Sequence, residues 1–351
     1  MRQAIGCAAI LLALCLTGCG APKTAPAANP TGETGTTAEG AASGEATPGE
    51  KSLRIAMIPK GSTHIFWQSV RYGAQQAADE LGVELLWKGP LEESGRAEQL
   101  QIVESYIVDQ VDGICLAPLD SQALIDVVHR AKDAGIPTLI FDSALDDESA
   151  IVSYVATDNF AAGQLAADSL GQLLNSQGDV ILVRYNVGSE STHQREEGFL
   201  ARLKQKFPNI NVLSSDQYIG TTVAAGTEKC QTLLQQFHDE VDGIFAVCEP
   251  NTTSVLAALE SQKLDGKVKC IGFDPSEAFV AAMKTNPPRI NGVVLQDAVN
   301  MGRTSLQTIV KSLRGEQVEK RIKTGERIVT PENVDDPENT KLLNPPRTEA
   351  S

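Results

Sequence analysis

From residue 53 to about residue 323, short apolar runs alternate with stretches whose apolar positions recur at helical spacing. The run 53–59 (LRIAMIP) predicts a buried strand, and 66–81 predicts a helix that Gly82 ends. A strand at 83–87, a helix at 97–109, a strand at 111–117 (VDGICLA), a helix at 121–134 and a strand at 137–141 follow. Strands this continuously apolar have both faces covered, and the helices between them supply the cover. The pattern predicts an α/β fold built on a doubly wound parallel sheet.

The same grammar then restarts. A strand at 179–185 (DVILVRY) leads to a helix at 195–206. Val111-Asp112-Gly113-Ile114 returns as Val241-Asp242-Gly243-Ile244, 130 residues on. The strands at 137–143 (PTLIFDS) and 268–275 (VKCIGFDP) both end in Phe-Asp, with Asp142 and Asp274 132 residues apart. A chain of 351 residues exceeds what one core usually serves. Length and repeat together predict two like-wound units.

The N-terminal end reads differently. Arg2 precedes an apolar run of twelve, residues 5–16, which is short for a bilayer span. Leu16-Thr17-Gly18-Cys19 resembles a bacterial lipobox, so residues 1–18 are expected to be a lipoprotein signal peptide and Cys19 the lipidated residue. The plainer alternative is a cleaved leader with an incidental cysteine. Residues 19–52 read as a flexible stalk. Of the 31 residues at 20–50, 25 are Gly, Pro, Ala, Ser or Thr, and none is Val, Ile, Leu or aromatic. Such a segment cannot bury enough apolar surface to order itself. The expected location is therefore the periplasm or cell envelope, tethered to a membrane by lipid. The formal charge is −15, and loss of Arg2 with the leader takes it to −16. A surface that acidic repels phosphate backbones and argues against a nucleic-acid partner.

Ligands of doubly wound sheets bind beyond the carboxyl ends of the strands, so the residues there carry the functional question. After the first strand come His64, Phe66 and Trp67. Adjacent helix positions face different directions, so the two aromatics are either a flat platform for a sugar ring or one core and one surface side chain. Asp142 and Asp274 each follow a strand directly, as acceptors for paired hydroxyls or as helix N-caps. Arg195 opens the predicted helix at 195–206 and offers planar paired donors, or is a solvated surface arginine. No dinucleotide loop, Walker loop or nucleophile elbow is present, and the four histidines share no metal-ligand spacing. The sequence predicts no enzyme, no cofactor and no metal. Cys115, Cys230, Cys248 and Cys270 are expected to be buried thiols, with a Cys248–Cys270 bridge left open.

FWQSVRYGAQQAADELGV (66–83), VDGICLAP, PTLIFDS, REEGF (195–199), PNTTSVLAAL (250–259), IGFDPS and VVLQD (293–297) together resemble a periplasmic sugar-binding protein of the ribose-binding type. That family serves ATP-binding-cassette importers and shares its type I periplasmic binding protein fold with lactose-repressor effector domains. The resemblance implies ligand contacts from His64, Phe66, Trp67, Asp142, Ser143, Arg195, Asn251, Asp274 and Gln296. Ser143 is a departure, since the ribose-type pattern has arginine directly after the first-domain aspartate. The longer approach Cys248-Glu249-Pro250 to Asn251 is another. Losing the arginine's fork of donors puts ribose itself in doubt, though not a polyhydroxylated ligand.

The resemblance also implies three crossings between domains. One domain is expected at 53–157 plus 297–325, the other at 158–296 plus 326–344, with 345–351 as a tail. The implied function is a lipid-anchored, monomeric receptor that closes on a small carbohydrate and delivers it to the membrane permease of an ATP-binding-cassette importer. The alternative within the same fold is a receptor for a sugar or sugar-like signal that feeds a chemoreceptor or sensor kinase.

Overall fold

The structure is a computed structural model, and it describes residues 52–348. The expected leader, Cys19 and nearly all of the stalk lie outside the described residues. Among the described residues no helix is long and apolar enough to cross a membrane.

In chain order the first series is β1 (Arg54–Ile58), α1 (Ile65–Leu81), β2 (Glu84–Trp87), α2 (Arg96–Val108), β3 (Gly113–Leu116), α3 (Ile125–Asp133), β4 (Thr138–Phe141) and β5 (Ile151–Ala156). The second is α4 (Asn159–Leu173), β6 (Gln177–Val183), α5 (Glu190–Lys206), β7 (Asn209–Ser214), α6 (Val223–Gln236), β8 (Gly243–Ala246), α7 (Glu249–Ser261), β9 (Lys269–Phe273), α8 (Glu277–Met283) and β10 (Gly292–Gln296). The chain closes with α9 (Ala298–Leu313), β11 (Arg321–Lys323), β12 (Glu326–Val329) and α10 (Pro337–Leu343). One sheet is ordered β2-β1-β3-β4-β5-β11 and the other β7-β6-β8-β9-β10-β12. The order is the same in both. All pairings are parallel except β10 with β12, so the doubly wound expectation holds. The chain passes between sheets three times: from β5 to α4, from β10 to α9, and from β11 to β12. Asp158 and Asp297 start the two helices at these passages, each accepting a backbone N–H of the first turn.

The sequence repeat has a physical basis in each sheet. The carboxylate of Asp112 accepts the Arg54 N–H at 2.7 Å, and that of Asp242 accepts the Asp179 N–H at 2.9 Å. The glycine that follows each aspartate lets a helix lie close. A Cβ on Gly113 would stand 3.0 Å from Ile309 of α9, and one on Gly243 would stand 2.9 Å from Leu170 of α4. Helices α9 and α4 are thus equivalents. Each approaches the helix that enters its side of the cleft through glycines set against backbone. A Cβ on Gly73 of α1 would lie 1.9 Å from the Val299 carbonyl of α9, and one on Gly198 of α5 would lie 2.1 Å from that of Phe160 in α4.

Two helix starts differ from expectation. Helix α3 begins at Ile125 rather than residue 121, because the Asp120 carboxylate takes the N–H groups of Gln122 and Ala123 into a tight turn. Helix α5 begins at Glu190, so Arg195 stands in its second turn instead of opening it. Ser191, Thr192 and His193 are poor helix formers and hid that first turn. Cys115, Cys230, Cys248 and Cys270 are free and buried. No Cys248–Cys270 bridge forms.

Gly302 places its Cβ direction 1.9 Å from the Val70 carbonyl in the α1–α9 contact, whereas Gly315 (φ +79) faces open space. Gly302→Ala should cost at least about 3 kcal/mol by urea denaturation, because backbone must part. Gly315→Ala should cost about 1 kcal/mol from its left-handed backbone alone. Equal losses would contradict the close helix contact.

Candidate functional site

The carboxyl ends of the strands in both sheets face one another across a narrow cavity of about 40 Å³. The first sheet contributes Lys60 and His64 after β1, Phe66 and Trp67 from the first turn of α1, Glu93 after β2 and Asp142 after β4. The second contributes Tyr185 after β6, Ser189, Ser191, Thr192 and Arg195 around the start of α5, and Cys248, Glu249 and Pro250 at the start of α7. Asp274 after β9 and Gln296 ending β10 complete that wall.

Seven of the nine expected residues therefore converge: His64, Phe66, Trp67, Asp142, Arg195, Asp274 and Gln296. Ser143 and Asn251 do not line the cavity. Ser143 is fully buried, and its Oγ accepts the Ser191 N–H at 3.0 Å. Asn251 lies inside α7 and donates Nδ2 to the Val183 carbonyl at 3.1 Å. The helix starts at Glu249, so the longer approach itself, Cys248-Glu249-Pro250, reaches the cavity in place of Asn251.

Asp142 and Asp274 hold left-handed backbone, φ 62° and 66°, which short polar residues tolerate. Each N–H bonds the next strand, Asp142 to Val155 and Asp274 to Val294. Neither is the N-cap of a helix that follows it, Ser276 being the N-cap of α8, but Asp274 Oδ2 accepts the Glu249 N–H at the start of α7 at 3.3 Å. The two carboxylates are balanced differently. Lys60 Nζ stands 3.0 Å from Asp142 Oδ2, both almost without solvent exposure, and also donates to Ser189 and Ser191. Asp274 Oδ1 accepts Gln296 Nε2 at 2.6 Å, and Gln296 in turn accepts the Thr157 hydroxyl at 2.9 Å. Burial raises the Asp274 carboxyl above its ordinary value, against the opposing pull of Arg195 and Gln296. Arg195 is buried, not a surface residue. Its guanidinium lies 3.8 Å from the Phe273 ring centroid, with Nε bonded to Asn159 and Nη1 to the Val247 carbonyl. Among the described residues Nη2 has no partner.

Phe66 and Trp67 are not a flat pair. Their rings meet edge to face, 4.8 Å apart at 80°, and Trp67 meets Phe141 the same way. Both belong to the hydrophobic core and border the cavity, so neither sequence reading holds as stated: the rings form no flat platform, and neither side chain is at the surface. The Trp67 indole donates to Glu93 Oε1 at 2.8 Å, and His64 Nδ1 lies 3.4 Å from the same oxygen. Burial opposes charge on Glu93, but His64, Lys60 and Trp67 outweigh it and hold its carboxyl at about 2. Burial likewise opposes a charged His64, while Glu93, Glu249 and Asp274 raise it above its ordinary value. The Tyr185 hydroxyl is buried beside the Glu93 carboxylate, with no hydrogen bond of good geometry among the described residues. Burial pushes the Cys248 thiol well above its ordinary value.

Lys60, Glu93, Tyr185, Ser189, Ser191, Thr192, Cys248, Glu249 and Pro250 escaped the sequence reading. Lys60 and Tyr185 carried a usable signal, since Lys60 directly follows a predicted strand and Tyr185 ends one. Glu93 carried none, being one of two adjacent glutamates in the loop between β2 and α2. A second cavity, about 470 Å³, is bordered by Thr157, Asp158, Asn159, Arg321 and Lys323. Its two cations are already paired, Lys323 with Asp158 and Arg321 with Glu148, and its other carboxylates, Asp146 and Glu190, accept from the Gln122 and Gln194 amides. Among the described residues no cluster of His, Cys, Asp or Glu suits a metal ion.

Comparison with known proteins agrees with the fold. The family model described as a periplasmic binding protein domain matches residues 55–317. The D-ribose/D-allose-binding protein of Pseudomonas aeruginosa is 26% identical over 76% of this chain and 84% of its own length. The ribose import binding protein of Escherichia coli is 29% identical over 76% of this chain and 86% of its own length. Among solved structures, a carbohydrate transporter solute-binding protein from Agrobacterium radiobacter in complex with D-arabinose superimposes with TM-score 0.79 at 30% identity, over 84% of this chain and 99% of that one. A transporter solute-binding protein from Agrobacterium vitis with bound D-fucose gives 0.78 at 32%, over 83% and 100%.

The His64–Glu93 pair sets a pH dependence of known sign. Glu93, held at about 2, contributes stability that is present above 4.5 and lost as pH falls toward 2. His64, held above 6.5, contributes stability that is complete below 6.5 and lost as pH rises through its raised value. In Glu93→Gln the proton-NMR titration of His64 should move down, because burial then opposes the charge with less compensation. An unchanged titration would contradict the pairing.

Proposed function

This chain belongs to the periplasmic binding protein family, and we propose that it serves as a lipid-anchored receptor that captures a small carbohydrate by closure of two domains. The receptor then delivers its ligand to the permease of an ATP-binding-cassette importer. The observation that carries this reading is the double placement of Asp142 and Asp274 at equivalent strand ends, facing one another with Arg195, Trp67 and Tyr185 between the two sheets. Such a set offers what a polyol needs: charged acceptors for hydroxyl protons, a guanidinium edge for hydroxyl oxygens, and aromatic surface for C–H faces.

In this account the two sheets belong to two domains, 53–157 with 297–325 and 158–296 with 326–344. The three passages near 157–159, 296–297 and 324–325 are the hinge. Asp142 offers its Oδ1, because Lys60 occupies Oδ2. Asp274 and Gln296 hold a second hydroxyl, Arg195 a third through Nη2, and the Tyr185 hydroxyl finds its partner on the ligand. His64, Phe66 and Trp67 close the wall that faces α5. Pentoses and hexoses are the class to test, because the relatives above are named for, or were solved with, ribose, allose, arabinose and fucose. Ribose itself is disfavoured, since Ser143 brings no donor fork and Lys60 spends its ammonium on Asp142 and two serines.

A thermal-shift screen over pentoses, hexoses and polyols should raise the melting temperature with one compact subset, because a ligand stabilises only the folded state. Calorimetry with that sugar should then show Asp274→Asn weaker by about 1–3 kcal/mol, or one to two decades in affinity. Asn251→Ala should lose about 1 kcal/mol of folding stability and much less affinity, because its amide serves Val183. No shift with any sugar, or a larger affinity loss at Asn251 than at Asp274, would overturn the assignment. The anchor is tested separately. Wild type should label with palmitate and partition into detergent, whereas Cys19→Ala should do neither; labelling that persists in the variant removes the anchor alone.

A further inference from the structure

One short segment of the second sheet's half, residues 186–191 between β6 and α5, is gripped by four separate loops of the first. Lys60 donates to Ser189 Oγ at 3.2 Å and Ser191 Oγ at 2.9 Å. The Ser191 N–H donates to Ser143 Oγ and the Ser121 N–H to the Gly188 carbonyl, both at 3.0 Å. Arg96, itself paired with Asp120, donates to the Val187 carbonyl, and Asn186 donates to that of Glu93 at 3.4 Å. Gly188 (φ +90) is what lets the segment seat, since a Cβ there would lie 2.3 Å from Asp120 Oδ2.

These bonds join protein to protein and need no ligand atom. The Lys60 ammonium, almost wholly buried beside Asp142, has both of its remaining donors met by the serines. If the halves part, that charge returns to water and the serines lose their donor; if they close, it is satisfied without the ligand. We infer that segment 186–191, anchored by Lys60, is a latch whose contacts favour the closed receptor independently of sugar. Lys60, Ser189 and Ser191 are its positioning residues. This rests on the reading that the two halves open and close. A ligand then meets a population already weighted toward closure, and its apparent affinity scales with that closed fraction.

The test is amide hydrogen exchange on the full protein with no sugar added, so it does not depend on finding the ligand. Ser191 is in the first turn of α5, where an N–H has no partner within the helix. Its protection therefore reports the bond to Ser143 across the two halves, and that of Ser121 reports the bond to Gly188. In wild type both amides should exchange at least about tenfold slower than an exposed amide, and in Ser189→Ala/Ser191→Ala that protection should fall about tenfold. Ser189→Thr/Ser191→Thr keeps the hydroxyls and should keep the protection. Gly188→Ala, which removes no hydrogen-bonding group, should lose it. Unaltered exchange of Ile271 in β9 verifies that each variant is folded. Wild-type Ser121 and Ser191 exchanging as exposed amides, or keeping full protection in both the Ala pair and Gly188→Ala, would overturn the latch.

Discussion

Glu93, Asp142, Glu249 and Asp274 share one narrow space between two sheets, where a carboxylate without a counter-charge or donors is expensive. Each is met in a different way. Lys60 neutralises Asp142, His64 and Trp67 compensate Glu93, Thr253 donates to Glu249, and Gln296 with the Glu249 N–H serves Asp274. The compensation leaves acceptor oxygens, the Arg195 Nη2 edge and the Tyr185 hydroxyl for something else. A site so prepared suits a ligand rich in hydroxyls, which can donate and accept at once without bringing charge.

The fold makes that arrangement repeatable. Two sheets of identical strand order each end their fourth strand in Phe-Asp, and each aspartate takes the same left-handed turn. The phenylalanines differ in use: Phe141 supports Trp67, whereas Phe273 underlies Arg195. A common scaffold thus carries an aromatic wall on one side and a cationic wall on the other. The helices that leave the inter-sheet passages, α4 and α9, are locked by glycine contacts to α5 and α1, which carry Arg195 and Trp67. Movement at the passages would therefore carry those side chains as part of rigid helix pairs.

Much of this was legible because it rests on period and repetition. The apolar runs marked β1 to β4, β6 and β9 but not β5 or β7, and the paired Val-Asp-Gly-Ile and Phe-Asp marked two like-wound units. Asp142, Asp274 and Trp67 were found because a strand end or a rare residue type drew the eye to them. The failures have physical causes. Asn251 matched a motif, but α7 begins two residues earlier, and one shift along a helix start turns an amide away from the cleft. Ser143 was placed by its neighbour Asp142, yet a left-handed turn at Asp142 sends the following residue into the interior. Lys60 and Glu93 belong to loops, and their partners lie far along the chain, Asp142 for Lys60 and Trp67, 26 residues away, for Glu93, separations that leave no periodic trace. Tertiary ion pairs are set by topology, and topology is what a local pattern lacks.

The central claim is that a sugar lies between Asp142 and Asp274. A crystal structure with the sugar that most stabilises the protein tests it most directly. The account predicts one ring against Trp67, with hydroxyls at hydrogen-bond distance, about 2.6–3.2 Å, from Asp142 Oδ1, Asp274 and Arg195 Nη2. A sugar seated instead in the larger cavity beside Asp158 and Lys323, with the Asp142–Asp274 space holding none, would contradict it.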